Sequence, residues 1–167
     1  MRAKLIVEGK EFDIDIFDPE LEKLVKPEKK TGYERVERDE DFYCQTSAGN
    51  DVTESPEDAF TSNYYYDSAN YYSSEEIAKN NVRADKLMRQ LRRFAALQRD
   101  ENLDWHNNKY KYCIYYDYTN RTFKLDYTDY WRVAFGVYFN SEACAKHAIE
   151  TFHDELIWYF TEYKDSL

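Results

Sequence analysis

The pattern of apolar and polar positions that begins at residue 70 returns at residue 137. Asn70-Tyr71-Tyr72-Ser73-Ser74-Glu75-Glu76-Ile77-Ala78-Lys79 is matched, 67 residues on, by Val137-Tyr138-Phe139-Asn140-Ser141-Glu142-Ala143-Cys144-Ala145-Lys146. Each copy reads as an aromatic strand end, a small capping residue, an acidic first turn and then a helical period. Each also follows an aromatic hairpin-like stretch, Asp41 to Glu54 in the first and Tyr110 to Asp126 in the second. A repeat at this spacing is an architectural signal. In the first copy Ser73 and Glu76 have the spacing of a capping box. Ile77, Ala84, Leu87, Met88, Leu91, Phe94 and Ala95 then recur on one side of a helix ending near Arg99. In the second, Asn140 or Ser141 is the predicted cap. There Ala145, Ala148, Ile149, Phe152, Leu156, Ile157, Tyr159 and Phe160 form a wide apolar face of one final helix.

Period-two alternation predicts the strands. Phe12, Ile14 and Ile16 alternate with Asp13 and Asp15, and pair across Glu8-Gly9-Lys10 with the run from Ala3. Asp18-Pro19-Glu20 opens a short helix that runs to Val25, before Pro27. Asp41 to Thr46 and Asp51 to Glu54 flank a turn at Ala48-Gly49-Asn50. Tyr112 to Tyr116 and Thr122 to Asp126 flank another at Thr119-Asn120-Arg121. Ala134 to Phe139 is the strand entering the second helix, and Asp100 to Asn108 is a loop holding Trp105. Ser55 to Ser68 has no clear period. The predicted class is α+β: antiparallel β-hairpins with two long helices, from a duplicated hairpin–strand–helix unit. Residues 1–40 form an N-terminal hairpin, short helix and linker, 41–99 the first unit and 100–167 the second, with 41–167 one compact domain.

Composition sharpens this reading. The 167 residues hold 17 Tyr, 10 Phe and 3 Trp but only 4 Gly and 3 Pro, which excludes a low-complexity chain. Tyrosine joins a large apolar ring to a hydroxyl that needs a partner, so it suits half-buried sheets and contact surfaces. Cys44, Cys113 and Cys144 have no CxxC spacing and read as free thiols of a reducing compartment. The apolar run near Met1 is too short for a signal peptide, and none approaches the ~20 residues of a membrane span. A soluble, cytoplasmic protein is expected.

Charge is distributed unevenly. Residues 79–99 carry 7 basic side chains and 1 acidic one, while the whole chain has a net charge of −10. The basic helix, with Arg83, Lys86, Arg89, Arg92 and Arg93, has the footprint of a phosphate binder. The competing reading is a solvated face neutralised by the protein's own acids. The acidic, tyrosine-rich positions are the other candidate surface, since spaced carboxylates can stand in for phosphates and tyrosine rings anchor an interface. The acids are Asp13, Asp15, Glu57, Asp58, Asp67, Asp117, Asp126 and Asp129, and the rings Tyr64, Tyr65, Tyr66, Tyr116, Tyr118 and Tyr130. The competing reading there is solubilising charge. Glu150-x-x-His153 is one half of a di-iron spacing without its second half. No phosphate loop, GxSxG or HExxH pattern is present. No catalytic residue, metal or cofactor is predicted.

Lys29-Lys30-Thr31-Gly32-Tyr33-Glu34-Arg35-Val36, Asn70-Tyr71-Tyr72, the Arg-rich helix and Ile114-Tyr115-Tyr116-Asp117-Tyr118, with the opening Ala3 to Lys10, resemble small accessory proteins of Firmicutes prophages and mobile elements. The resemblance spans most of the chain and carries over no catalytic residue. It implies a bacterial cytoplasm, a setting in which small acidic phage proteins include anti-CRISPR inhibitors. The leading expectation is therefore a non-enzymatic inhibitor of a host RNA-guided nuclease of the Cas9 type. It would occupy a DNA-binding surface, with possible contact to the guide RNA, as a monomer or small homo-oligomer. A nucleic-acid-binding module using residues 79–99 is the alternative. A small hydrolase or nucleotide-binding protein with a pocket around Trp105 and Tyr115 is a third.

Overall fold

A computed structural model describes residues 2–7, 10–15, 30–58, 60–98, 104–134 and 136–165. The chain separates into two units, Met1–Thr31 and Gly32–Leu167. In the first unit β1 (Arg2–Val7) and β2 (Lys10–Asp15) pair antiparallel, Leu5 with Phe12 and Ala3 with Ile14. The exposed Lys4 ammonium lies 3.3 Å from Glu11 Oε2 across the hairpin. Ile16 and the predicted helix from Asp18 to Val25 lie outside the described residues.

The second unit begins its regular structure with the hairpin of β3 (Asp41–Gln45) and β4 (Val52–Pro56). Helices α1 (Thr61–Asp67) and α2 (Glu75–Leu97) follow. A second hairpin joins β5 (Lys111–Asp117) to β6 (Thr122–Thr128), and α3 (Glu142–Thr151) and α4 (His153–Thr161) come last. The fold is α+β, with antiparallel hairpins and helices as the pattern predicts.

The two copies make the same main-chain and capping contacts at the entry to each helix. Tyr72 bridges Tyr43 of β3, and Phe139 bridges Tyr112 of β5, each through a reciprocal pair of main-chain hydrogen bonds of 2.8–2.9 Å. The Ser74 hydroxyl accepts from Ile77 N, and the Ser141 hydroxyl accepts from Cys144 N, which satisfies one otherwise orphaned donor per helix. One turn later Lys79 meets Glu75 and Lys146 meets Glu142, both at 2.6 Å. Tyr71 and Tyr138 are buried, and each hydroxyl accepts a main-chain N–H, from Val36 at 3.0 Å and Val133 at 2.8 Å.

Several expectations are corrected at this level. The cap of α2 is Ser74, not Ser73, whose hydroxyl instead donates to Glu34 Oε2 at 3.3 Å. Ala134 to Phe139 is not a strand among its described residues, because only Phe139 makes the bridge. The final helix is two helices, broken where Phe152 adopts φ −114° and ψ 22°. The unpatterned stretch after Ser55 contains α1, and Tyr64, Tyr65 and Tyr66 are helical.

The copies also differ in how the strand edge beyond the bridge is finished. In the first copy Gln45 N–H donates to Asn70 Oδ1 at 2.7 Å, and Asn70 Nδ2 donates to Gln45 C=O at 3.2 Å. The Asn70 side chain thus takes the place of a strand residue. Val137 occupies that position in the second copy.

Helix α2 links the copies. Its N-terminal residues Ile77 and Ala78 are buried beside Tyr72, with Tyr43 and Val52 packed against them. Farther along, Leu87, Leu91 and Ala95 join Phe139, Ala145, Ala148 and Leu156 in the largest apolar cluster. Burying a leucine-sized side chain in this way stabilises by about 2 kcal/mol. Phe42, Cys44 and Tyr71 form a separate cluster under the first hairpin, where the Phe42 and Tyr71 rings stack at 4.4 Å.

Candidate partner-binding surfaces

Asp13 and Asp15 lie on β2 of the first unit, and within the second unit the predicted acidic and aromatic positions fall on two separate regions. Tyr64, Tyr65, Tyr66 and Asp67 lie on α1. Tyr64 is exposed, while Tyr65 turns inward against Phe42. Arg35 covers the Tyr66 ring at 4.3 Å and reaches Glu57 Oε1 at 3.2 Å and Asn63 Oδ1 at 2.6 Å. Tyr71 completes this network by donating to Glu57 Oε2 at 2.7 Å. Burial is the main cause that pushes the Tyr71 hydroxyl up to about 12. Glu57 and Tyr66 are therefore joined to a structural clamp around Arg35.

Tyr116, Asp117, Tyr118, Asp126, Asp129 and Tyr130 belong to the second hairpin and the segment after it. Tyr116 is half-buried and stacks on Phe160 at 5.9 Å. Asp117 organises the turn. Its carboxylate accepts from Thr119 N at 3.0 Å, Asn120 N at 3.1 Å, Asn120 Nδ2 at 2.8 Å and the Lys124 ammonium. Those bonds, Lys124 first, hold its carboxyl well below the usual range. Tyr118 and Tyr130 are strongly exposed, and the Tyr118 hydroxyl donates to Phe160 C=O at 2.8 Å. Tyr127, edge-on to Tyr110 at 4.8 Å, and Tyr115 are also exposed, on opposite faces of the hairpin. Asp126, on the Tyr115 face, is exposed and Asp129 partly so.

The basic helix divides differently. Arg83 forks onto Glu155 at 2.8 and 3.1 Å and lies 4.0 Å above the Trp158 ring. Lys79 is held by Glu75, and Arg89 donates to the Gly49 carbonyl. Lys86, Arg92 and Arg93 are exposed and make no ion pair among the described residues. Lys86 and Arg83 border a polar groove with Asp51 and Glu155, so acids and bases share that face.

Trp105 does not line the cavity that Tyr115 borders. Trp105 packs edge-on against Tyr138 at 4.9 Å, between Arg132 and the buried Lys111. Lys111 Nζ donates to Asn107 C=O at 3.1 Å and Asn107 Oδ1 at 3.0 Å, which fixes the loop to β5. Tyr115 instead borders a cavity of about 620 Å³ beside the open edge of β5, which also touches Cys113, Asp126 and Tyr159. Burial, reinforced by Asp126, pushes the Cys113 thiol up, away from the thiolate form a nucleophile needs. Cys44 and Cys144 are buried, and all three cysteines are free.

Among the described residues no three His, Cys, Asp or Glu side chains converge, and no helix is long and apolar enough to cross a membrane. Sequence reasoning missed Arg35, Trp158 and Asn70, whose partners lie far along the chain and leave no local pattern. No protein-family model matches the chain, and no curated protein or solved structure matches it.

Proposed function

We propose that this chain is a non-catalytic binding protein whose acidic, tyrosine-bearing second hairpin occupies a basic nucleic-acid-binding surface of another protein. In its most specific form the reading is inhibition of a bacterial host's RNA-guided nuclease of the Cas9 type, which holds its duplex in a positively charged channel. One observation carries it: Tyr115, Tyr118, Tyr127 and Tyr130 are exposed on the same hairpin and following segment that carry Asp126 and Asp129, while Arg83, Lys79 and Arg89 are engaged by the protein itself. Exposed tyrosines interspersed with carboxylates along the chain have the composition of a protein-docking segment. The net charge of −10 repels phosphate and attracts a basic surface.

The test is target cleavage by guide-loaded Cas9-type nucleases with the protein titrated in. The reading expects inhibition that weakens when Asp126 and Asp129 are both changed to Lys and when Tyr130 is changed to Ala. Asp117 is left intact because it builds the turn. Cleavage that continues unchanged across a panel of such nucleases would sink the nuclease form of the proposal.

A further inference from the structure

In the first copy a side-chain amide closes the strand edge: Asn70 accepts from Gln45 N–H at 2.7 Å and donates to Gln45 C=O at 3.2 Å. In the second copy the same step of the register sets Ile114 against Val137, whose isopropyl group neither donates nor accepts. Alternate residues of an antiparallel strand turn their N–H and C=O to the same side. Ile114 and Tyr116 therefore aim these groups the way Tyr112 aims its own at Phe139, away from β6. Beyond the Tyr112–Phe139 pair, no further bridge to that edge of β5 occurs among the described residues. The edge faces the 620 Å³ cavity, whose apolar walls include Met88, Leu91, Val133, Val137 and Tyr159.

We propose that this cleft is a peptide-binding groove: it takes an extended segment of another protein as a new strand beside β5. Apolar side chains of the segment fill the cleft, and a Lys or Arg sits against Asp126. Three observations select this occupant. The group that fills the matching edge in the first copy is a carboxamide, the chemistry of a peptide unit. The open edge offers a donor and an acceptor in the spacing that strand addition uses. Asp126 borders the cleft and commits Oδ1 to Tyr127 N–H at 2.8 Å, which leaves Oδ2 for a cation. The cleft shares Tyr115 and Asp126 with the surface assigned above, but the Val137→Asn variant alters neither, so the two readings fail separately.

The experiment selects a phage-displayed random heptapeptide library on the full chain and on its Val137→Asn variant. The substitution supplies the Asn70-type clamp and is expected to close the edge. Enriched peptides should alternate apolar residues with at least one Lys or Arg. They should bind the variant about tenfold or more weakly, the loss expected for two main-chain hydrogen bonds. Binding should protect the Ile114 and Tyr116 amides from hydrogen exchange, and Asp126→Lys should remove the preference for basic residues. In the free protein the Ile114 amide should exchange faster than the Gln45 amide. Equal protection of Ile114 and Gln45 in the free chain overturns the proposal. So does a selection that yields only peptides indifferent to Val137→Asn, or an apolar fluorescent probe as the cleft's sole binder.

Discussion

The Arg83 guanidinium and the Glu155 carboxylate join the helix of the first copy to the last helix of the second through two hydrogen bonds, of 2.8 and 3.1 Å. The pair is partly exposed, so its Coulombic gain is screened and worth at most about 1 kcal/mol. Arg83 also covers Trp158, which adds a cation–π contribution of about 0.5–1 kcal/mol. Glu155→Gln is expected to lower unfolding free energy by under about 1 kcal/mol, and Arg83→Ala by about 1–2 kcal/mol. Denaturant titration of the two variants reads the difference. Equal losses would show that the ring contact contributes nothing.

The caps give a paired prediction. Ser74→Ala and Ser141→Ala should each cost about 1 kcal/mol, because each hydroxyl accepts one free helix N–H. Ser73→Ala should cost less, since its hydroxyl donates to Glu34 and leaves the helix cap to Ser74. Thermal melts of the three single variants would rank them, and a larger loss at Ser73 would contradict the assignment.

Gly32 tests backbone strain. It has φ +94°, and a Cβ there would meet Ile77 Cγ1 at 2.7 Å and Ile77 Cβ at 3.1 Å. Ile77 is fully buried and cannot retreat. Gly32→Ala is expected to destabilise by about 2 kcal/mol or more, through both the left-handed backbone and the clash. A melt unchanged from the parent would refute the packing described around Ile77.

Asp117 makes stability depend on acid. Its folded pKa is depressed, so its contribution is present above the unfolded value near 3.9 and is lost as pH falls below it. Between about pH 5 and pH 2 the parent should lose stability more steeply than Asp117→Asn. Tyr71 acts at the opposite end. Its pKa is raised to about 12, so its contribution is complete below the unfolded value of about 10 and disappears as pH rises through 12. Tyr71→Phe should flatten that alkaline loss while costing stability at neutral pH.

For nucleic acid, the expected result is absence of tight binding. The isolated protein should show no submicromolar affinity for duplex DNA at physiological salt, because a net charge of −10 outweighs the exposed Lys86, Arg92 and Arg93. A gel shift with a steep salt dependence, abolished by reversing Arg92 and Arg93, would favour the basic-helix module instead.

The hairpins were legible because Phe12 and Ile14 alternate with Asp13 and Asp15, and because turn residues at Gly49 and Asn120 divide the aromatic runs that follow. Helix α2 was legible because its apolar residues keep a 3.6 period over six turns. The cap was misplaced by one residue because two serines stand side by side and Glu76 favoured the wrong one. Helix α1 was hidden by three consecutive tyrosines, which carry no helical period. The break at Phe152 was invisible because the apolar face continues through it. The surface was harder still. Whether an arginine is free for a partner depends on contacts such as Arg83–Glu155, between residues far apart in sequence.

The single-residue bridges bear on how the chain folds. A lone two-stranded hairpin is marginal in water, and an isolated helix has a costly nucleus. Here the residue that extends each hairpin lies two positions before the serine that caps the helix. Closing the hairpin therefore places the first helical turn, and forming the turn pins the hairpin's third chain. The entry to each helix is thus set by contacts local to its own copy, which lowers contact order and favours rapid folding. The joining of Arg83 to Glu155, 72 residues apart, is by contrast a contact between the copies that neither can make alone.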